Sequence, residues 1–446
     1  LRRISVIIAA TRFNKNSLAA LSGALQVNHA TEGILPVVSS DEKTLLTAVR
    51  EAAENGSLPV ICFSFTTLNF LETAETLLRF KEALTDLPAP PVYVAGGPHP
   101  SGSPEETLRS GFNYVVRGDG EFAFPALMEA FMKGAEPLDI KGVCTLPGGE
   151  FTGTGFAAPV NLDDYPPFSK RPMKFTYQEI TRGCPVACKY CQASYIQGGR
   201  YRHRSPSFVL KYTKKLVELG VNDLRFITPD CLSYGTEEQG RPDLKHLGDF
   251  LYEVRKIAGD RRVYYGTFPS EVWPSSVTEE AVALLRKYTS NEGIVVGAQT
   301  GSDRLLREIG RSHTVQDVRS AAEHILKAGF TANIDFMFGL PGETEEDEQA
   351  TIEFMRELAA MDAKVHSHTF IPLSGTPYGN FEPPVLSRKT VKTLESLTGR
   401  GAQYGAWKKQ MAESRKIWMF RKILRETGDI KRAVRNSDKI SADSLF

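Results

Sequence analysis

The sequence predicts an α/β protein: an N-terminal doubly wound, Rossmann-like sheet, then a partial (β/α)6 barrel, and last a small helical C-terminal region. Three observations carry this. Strand-length apolar runs alternate with helical periods in two separate series, the pattern of parallel sheets covered by helices. A Pro-rich stretch, Asp163-Asp164-Tyr165-Pro166-Pro167-Phe168, separates the two series. At 446 residues the chain is also too long for one ordinary core.

The first series occupies residues 1–140. Its strand-like runs are 4–9, 59–65, 92–95 and 114–117, with helical periods at 44–55, 71–85, 105–109 and 122–132. Residues 141–172 form a connection, in which 142–145 and 150–154 read as a hairpin across Pro147-Gly148-Gly149. The second series starts at Lys174 and gives a barrel over 173–380. Its strands fall at 176–181, 223–228, 262–266, 293–299, 331–338 and 365–371. Helices at 206–219, 243–258, 279–288, 315–328 and 345–360 connect them. Six repeats fall short of the eight that close a complete barrel. The remainder, 381–446, reads as polar, basic helix, with Trp407-Lys408-Lys409 and Arg421-Lys422 on a solvated face packed on the barrel.

Composition excludes several classes. With 41% hydrophobic and 24% charged residues the chain is globular rather than disordered. Basic and acidic side chains number 54 and 53, so no overall field draws nucleic acid or an anionic membrane. The longest apolar runs, 60–65 and 294–298, are strand-length and too short to span a bilayer. The first residues run straight into a strand pattern without a signal peptide, so a cytoplasmic protein is expected. Six cysteines in such a chain do not make a disulfide framework. Cys62 and Cys144 lie in apolar runs and read as inert core, and Cys231 stands apart after a strand.

Cys184, Cys188 and Cys191 are crowded together directly after the first strand of the second series, in Gly183-Cys184-Pro185-Val186-Ala187-Cys188-Lys189-Tyr190-Cys191. Three thiolates ligate three irons of a [4Fe–4S] cubane and leave the fourth iron open. Structural zinc wants four ligands, and the nearest candidate, His203, lies well beyond Cys191. The spacing and its context resemble the radical S-adenosylmethionine (SAM) superfamily, with Tyr190 as the aromatic residue beside the adenine. The likeness continues through Gly297-Ala298-Gln299-Thr300-Gly301 and Gly310-Arg311, similar to the fifth barrel strand and its loop. Asp335-Phe336-Met337-Phe338-Gly339-Leu340-Pro341-Gly342-Glu343 is similar to the sixth. The resemblance implies that Ser270, Gln299 and Arg311 contact the polar groups of SAM.

In the first series, Gly96-Gly97-Pro98-His99 and Gly118-Asp119-Gly120-Glu121 each follow a strand, where a doubly wound sheet binds large cofactors. Together they resemble the cobalamin-binding domain that precedes many radical SAM barrels. The resemblance implies a corrin tail slotted at Gly96, Gly97, Pro98, Gly118 and Glu121, with Ser64 and Thr66 hydrogen-bonding it. The Asp-x-His-x-x-Gly motif of histidine-ligated cobalamin domains is absent, so base-off cobalamin without a histidine ligand is expected, and His99 reads as a loop residue.

Paired, the two resemblances imply radical methyl transfer by way of methylcobalamin and a 5′-deoxyadenosyl radical. Asp230, Tyr234 and Tyr378 are candidates to touch substrate, Asp230 and Tyr378 as catalytic residues. His366 and His368 alternate on the last barrel strand and share one side, the barrel interior or the helix layer. Chain size, the 265–271 segment and the tail look like the archaeal glutamine C-methyltransferases that act on methyl-coenzyme M reductase. That likeness implies a protein or peptide substrate, such as the reductase alpha subunit, and a low-potential electron donor, with no nucleic acid or membrane partner. A cobalamin-dependent radical SAM enzyme of a small metabolite, or a rearrangement enzyme without methyl transfer, shares the same motifs.

Overall fold

A computed structural model describes residues 1–169, 177–238 and 240–437, which divide into two compact units. Among described residues, the first unit takes 1–169, 373–376 and 415–437; the second takes 177–238, 240–372 and 377–414. Lys174, where the second series was expected to begin, lies outside the described residues.

The first unit runs β1 (Ile4–Ala9), α1 (Lys15–Val27), β2 (Val37–Ser39), α2 (Glu42–Glu54), β3 (Leu58–Ser64), α3 (Phe70–Ala83) and β4 (Val92–Gly96). It continues with α4 (Pro98–Gly102), α5 (Pro104–Arg109), β5 (Tyr114–Val116), α6 (Gly120–Lys133), β6 (Val143–Thr145) and β7 (Thr152–Gly153). Strand order is β2-β1-β3-β4-β5-β6-β7, parallel through β5, with β6 and β7 antiparallel at one edge. The order reverses between β1 and β3, so their carboxyl ends open the crevice where such sheets bind ligands. Both faces are covered, which is why every residue of β3 is buried. Ile7, Ile61, Phe63 and Tyr93 point to one core, and Val6, Ile8, Val60 and Val94 to the other.

The second unit contains β8 (Tyr177–Glu179), β9 (Thr181–Arg182), α7 (Gln192–Gln197), β10 (Arg202–His203), α8 (Pro206–Glu218), β11 (Asp223–Ile227), α9 (Leu244–Ala258) and β12 (Arg262–Tyr264). Next come α10 (Glu279–Tyr288), β13 (Gly293–Gln299), α11 (Asp303–Glu308), α12 (Val315–Lys327), β14 (Thr331–Phe338), α13 (Glu345–Ala360), β15 (Lys364–Thr369), α14 (Arg388–Gly399) and β16 (Gln403–Tyr404). Two parallel half-sheets, β8-β11-β12 and β13-β14-β15-β16, meet where Val272 bridges Val296. The Val295 N–H donates to Gly266 O there, and the Val272 N–H to Val295 O. β8, β11, β12, β13, β14 and β15 are thus the six strands of an open barrel.

Two expectations are corrected. The strands ending at Gln299 and Phe338 are the fourth and fifth of the barrel, not the fifth and sixth, since β8, β11 and β12 alone precede them. The tail is not helix throughout: β16 adds a seventh parallel strand against β15. The last helices, α15 (Trp407–Thr427) and α16 (Ile430–Ser437), do not stay on the barrel. From Arg415 onward they belong to the first unit, where Phe420, Leu424 and Ala433 enter the core beside Phe70 and Leu77. Arg421 makes a two-point ion pair there with Glu106, Nε to Oε1 at 3.0 Å and Nη2 to Oε2 at 3.1 Å, with both residues buried.

Candidate functional site

The three clustered cysteines occupy the loop after β9. Gly183 begins it at φ +83, and a Cβ there would lie 2.2 Å from Arg200 O, so only glycine fits. The Cys184 N–H donates to Gly198 O at 3.0 Å. Ser194 ties the loop to itself, donating to Cys184 O at 2.7 Å and accepting the Ala187 N–H at 3.0 Å. The Lys189 N–H, donating to Ile309 O at 2.9 Å, fastens it to the end of α11. Burial pushes the Cys191 thiol up to about 12, and Cys188 and Cys184 push the same way. Burial also raises Cys184, with Cys188 contributing. Two buried thiols held against ionisation in this way call for a compensating cation. The donor set fits an iron–sulfur cluster with one iron free of protein. His203 is no fourth ligand: its Nδ1 lies 2.9 Å from Thr181 Oγ1 and its Nε2 2.8 Å from Thr236 O.

Arg311 is buried and ties the loop to the barrel wall. Its Nη2 donates to Gly297 O at 2.6 Å and its Nη1 to Tyr190 Oη at 3.0 Å, 4.0 Å from Cys188 Sγ. Its Nε donates to His313 Nδ1 at 3.2 Å, and its guanidinium covers the Trp273 ring at 4.2 Å. Arg311, Tyr190 and Cys188 therefore form one connected group. Gln299 ends β13 at a bulge with φ +72, a left-handed conformation that a side chain this size adopts only under constraint.

Four expected positions are buried and engaged within the protein. Asp230 is buried with its carboxylate engaged: Oδ1 accepts from Leu232 N and Trp273 N, and Oδ2 from Ser233 Oγ at 2.5 Å. That makes it a brace for the loop after β11. Ser270 is fully buried and turns inward on its own loop, its hydroxyl donating to Thr267 O. Tyr378 packs among Leu305, Leu306, Ile309, Leu340 and Phe370, supporting the cysteine loop through its N–H to Lys189 O at 3.1 Å. Tyr234 is buried with its hydroxyl donating to Arg204 O.

A row of polar side chains that local patterning hid faces away from the helices. On β14 Phe336 packs against Phe354 of α13, so Asp335 of opposite parity points inward. Register aligns Gly297 with Asp335, Asp335 with His366, and His366 with Tyr404. His366 Nδ1 lies 3.1 Å from Asp335 Oδ1, and His368 Nε2 lies 3.8 Å from Asp335 Oδ2. This places both histidines in the barrel interior. Tyr404 stacks on His366 with ring centroids 4.4 Å apart. At Gly297 a Cβ would come within 3.6 Å of Glu271 Oε2 and 2.8 Å of Gln299 Nε2, so the missing side chain leaves room for both. Glu271 keeps an open surface yet is ringed by protein, and that enclosure, with Asp335 adding repulsion, raises its carboxyl to about 7. Burial would raise Asp335 as well, but the adjacent His366 and His368 outweigh it and pull the carboxyl down. Glu271 and Asp335 stand one residue after Ser270 and at the head of the Asp335–Glu343 motif; strand register was the signal that would have found them.

In the first unit the expected cofactor residues gather at the carboxyl ends of β3, β4 and β5. Ser64 ends β3, Thr66 follows it, and Gly96, Gly97 and Pro98 make the turn into α4. Gly97 has φ +95, and a Cβ there would lie 2.9 Å from both Phe65 N and Phe65 O, so the turn exists only with glycine. Gly118 turns at φ +90, its N–H donating to Ser101 Oγ, and Glu121 is buried in the first turn of α6. Exposed Phe13, Leu68, Phe122 and Phe156 lie in segments that follow β1, β3, β5 and β7. Glycine turns beside exposed apolar side chains fit a large amphipathic cofactor such as cobalamin. His99 is not a surface loop residue: it is fully buried, with its ring against Phe65 and Phe70 at 5.7 and 4.1 Å.

Comparison with known proteins agrees with both units. The pattern of the B12 binding domain matches residues 13–128, and that of the radical SAM superfamily matches residues 179–355. The ribosomal protein uS12 methylthiotransferase RimO of Clostridioides difficile is 29% identical over 202 residues, 44% of this chain and 43% of that one. An uncharacterized methyltransferase of Pyrococcus horikoshii is 28% identical over 279 residues, 59% of this chain and 58% of that one. The chain spans about half the length of the curated relatives it matches. Among solved structures, the radical SAM methyltransferase TsrM of Kitasatospora setae, with cobalamin and a [4Fe–4S] cluster bound, superposes with TM-score 0.65 at 17% identity, over 85% of this chain and 74% of that one. The cobalamin-dependent SAM radical enzyme OxsB with aqua-cobalamin gives 0.62 at 15% identity, over 80% and 52%. Those two likenesses are of fold. No described helix is long and apolar enough to cross a membrane. With a B12-binding domain ahead of a radical SAM domain, and a cysteine loop that fits a [4Fe–4S] cluster, the chain carries the two-domain organisation of the cobalamin-binding radical SAM enzymes.

Proposed function

We propose that this chain is a C-methyltransferase that places a methyl group on an unactivated sp3 carbon, that of a glutamine in methyl-coenzyme M reductase. The observation that carries the reaction class is the cysteine loop, which offers three thiols and no fourth ligand among the described residues, in one chain with a B12-binding sheet. When bound, the cluster with SAM supplies hydrogen abstraction, and cobalamin supplies the methyl group. The protein's own part is holding and orienting. Arg311 fixes Tyr190 and the loop against Gly297, Gln299 and Glu271 offer polar contacts to SAM, and Asp335, His366 and His368 face the interior that substrate enters. The choice of glutamine in that reductase rests on the likeness of the 265–271 segment, chain size and tail. Its substrate is then a peptide segment presented before assembly, its electron source a low-potential donor, and neither nucleic acid nor membrane takes part.

A methylthiotransferase activity, which the matched RimO carries, needs a second set of cluster cysteines. The first unit offers only Cys62 and Cys144 among described residues, both buried in its cores. Anaerobic reconstitution with iron, sulfide and cobalamin, followed by product analysis with SAM, a low-potential reductant and a reductase peptide, tests the proposal. The expected products are 5′-deoxyadenosine, S-adenosylhomocysteine and methylated peptide. Formation of 5′-deoxyadenosine without S-adenosylhomocysteine would replace methyl transfer by rearrangement. Methylation of a small metabolite in place of the peptide would move the substrate class.

A further inference from the structure

Asp335, His366 and His368 bring three ligand-type atoms within 4.8 Å of one another, an arrangement that resembles a two-histidine, one-carboxylate metal centre. The surroundings of His368 decide against that use. A metal ion would take the lone pair of His368 Nε2, the nitrogen facing Asp335, and this requires the proton on Nδ1. His368 Nδ1, however, faces the Gln410 amide nitrogen at 3.0 Å. The Gln410 amide is not free to turn over, because its Oε1 accepts the Thr369 N–H at 3.1 Å, and reversal would set one donor against another. Neutral His368 therefore accepts at Nδ1 and carries its proton on Nε2, toward Asp335. His366 offers Nδ1 to the other carboxylate oxygen at 3.1 Å and is held flat under Tyr404.

Each Asp335 oxygen thus faces one histidine and keeps lone-pair capacity toward the interior. Glu271 lies nearby and opposes a second negative charge, while Arg311 is committed to Gly297 O and Tyr190. Both histidines and Glu271 keep exposed surface, so the row is reachable. An incoming hydrogen-bond donor is accepted here and an anion is rejected.

We infer that Asp335, oriented by His366 and His368, anchors an N–H-bearing group of the substrate, an amide, ammonium or guanidinium, and is not a metal centre. The inference rests on the proposed function only in taking the barrel interior as the place of substrate.

Methylguanidinium, acetamide and acetate, titrated calorimetrically into the reconstituted holoenzyme and soaked into its crystals, test this without knowledge of the full substrate. Methylguanidinium and acetamide are expected at Asp335, with acetate weaker by about tenfold or more, and Asp335→Asn is expected to weaken methylguanidinium by about tenfold. Far-UV circular dichroism of D335N checks that the variant is folded, and Asp335→Glu, which keeps the charge, is expected to restore part of the binding. Acetate binding as well as methylguanidinium, no probe at Asp335, or a D335N affinity equal to that of the parent would overturn the assignment. Stoichiometric cobalt(II) absorption that His368→Ala abolishes would make the triad a metal centre instead. Failure to methylate any peptide leaves these small-probe results standing and bears only on the proposed function.

Discussion

Cys191 shows how one residue's environment sets its chemistry. A thiol pushed up to about 12 by burial and two neighbouring thiols is a poor ligand alone and a good one once iron supplies positive charge. Cys191→Ala is expected to take the reconstituted protein from about four irons per chain to about none, read by iron analysis and loss of charge-transfer absorption. Glu271 makes a separate prediction about pH. Its carboxyl titrates near 7 in the folded chain against an ordinary 4.5, so between those values the native state holds a proton that the unfolded state has released. Stability therefore falls as pH rises through that window. Melting temperature measured across it should decline in the parent and decline less steeply in Glu271→Gln, the remaining slope coming from Glu343, whose carboxyl burial raises to about 8. A parent curve that is flat over the window would contradict the placement of this carboxyl beside Asp335.

At the scale of elements, local chemistry announces most of the boundaries. Thr314 and Thr344 each cap a helix with reciprocal bonds to Asp317 and Asp347, a pairing visible as a threonine followed three residues later by an acid. Thr344→Ala should lower unfolding free energy by about 1 kcal/mol in a denaturant titration without changing the slope. The β/α alternation and the cysteine loop were legible for the same reason, since each is written in neighbouring residues. What was hidden is short or non-local. α1 carries Ser22, Gly23 and Ala24 among its buried residues, so it lacks a sharp apolar stripe. β2 and β16 span three and two residues, too few for a period. The Gly297–Asp335–His366–Tyr404 row exists only after four strands are in register, and no window along the chain contains it. Asp230 and Ser270 stand at the expected ends of strands, yet each hydrogen-bonds its own loop. Position along a strand told where such residues sit and not which way they turn.

At the scale of the molecule, the first unit is assembled from separate lengths of chain. Phe420 and Leu424 fill its core, and Arg421 makes a buried two-point ion pair with Glu106. Removing one partner leaves the other charged and dry, so Arg421→Ala should destabilise the first unit by about 3–5 kcal/mol, read by its denaturation midpoint. Replacing both partners by apolar residues of similar volume should recover much of that loss. A further segment of the same unit is Leu373–Thr376, where Ser374 Oγ donates to His99 O at 3.1 Å.

That discontinuity sets an order of events during synthesis. A ribosome delivers the N-terminal sheet before the barrel, but the helix that completes that sheet's hydrophobic interior emerges only after the whole barrel has been made. The N-terminal body therefore cannot complete its core before the barrel has been synthesised. Phe70, Leu77 and Phe80 wait for Phe420 and Leu424 to emerge and close over them.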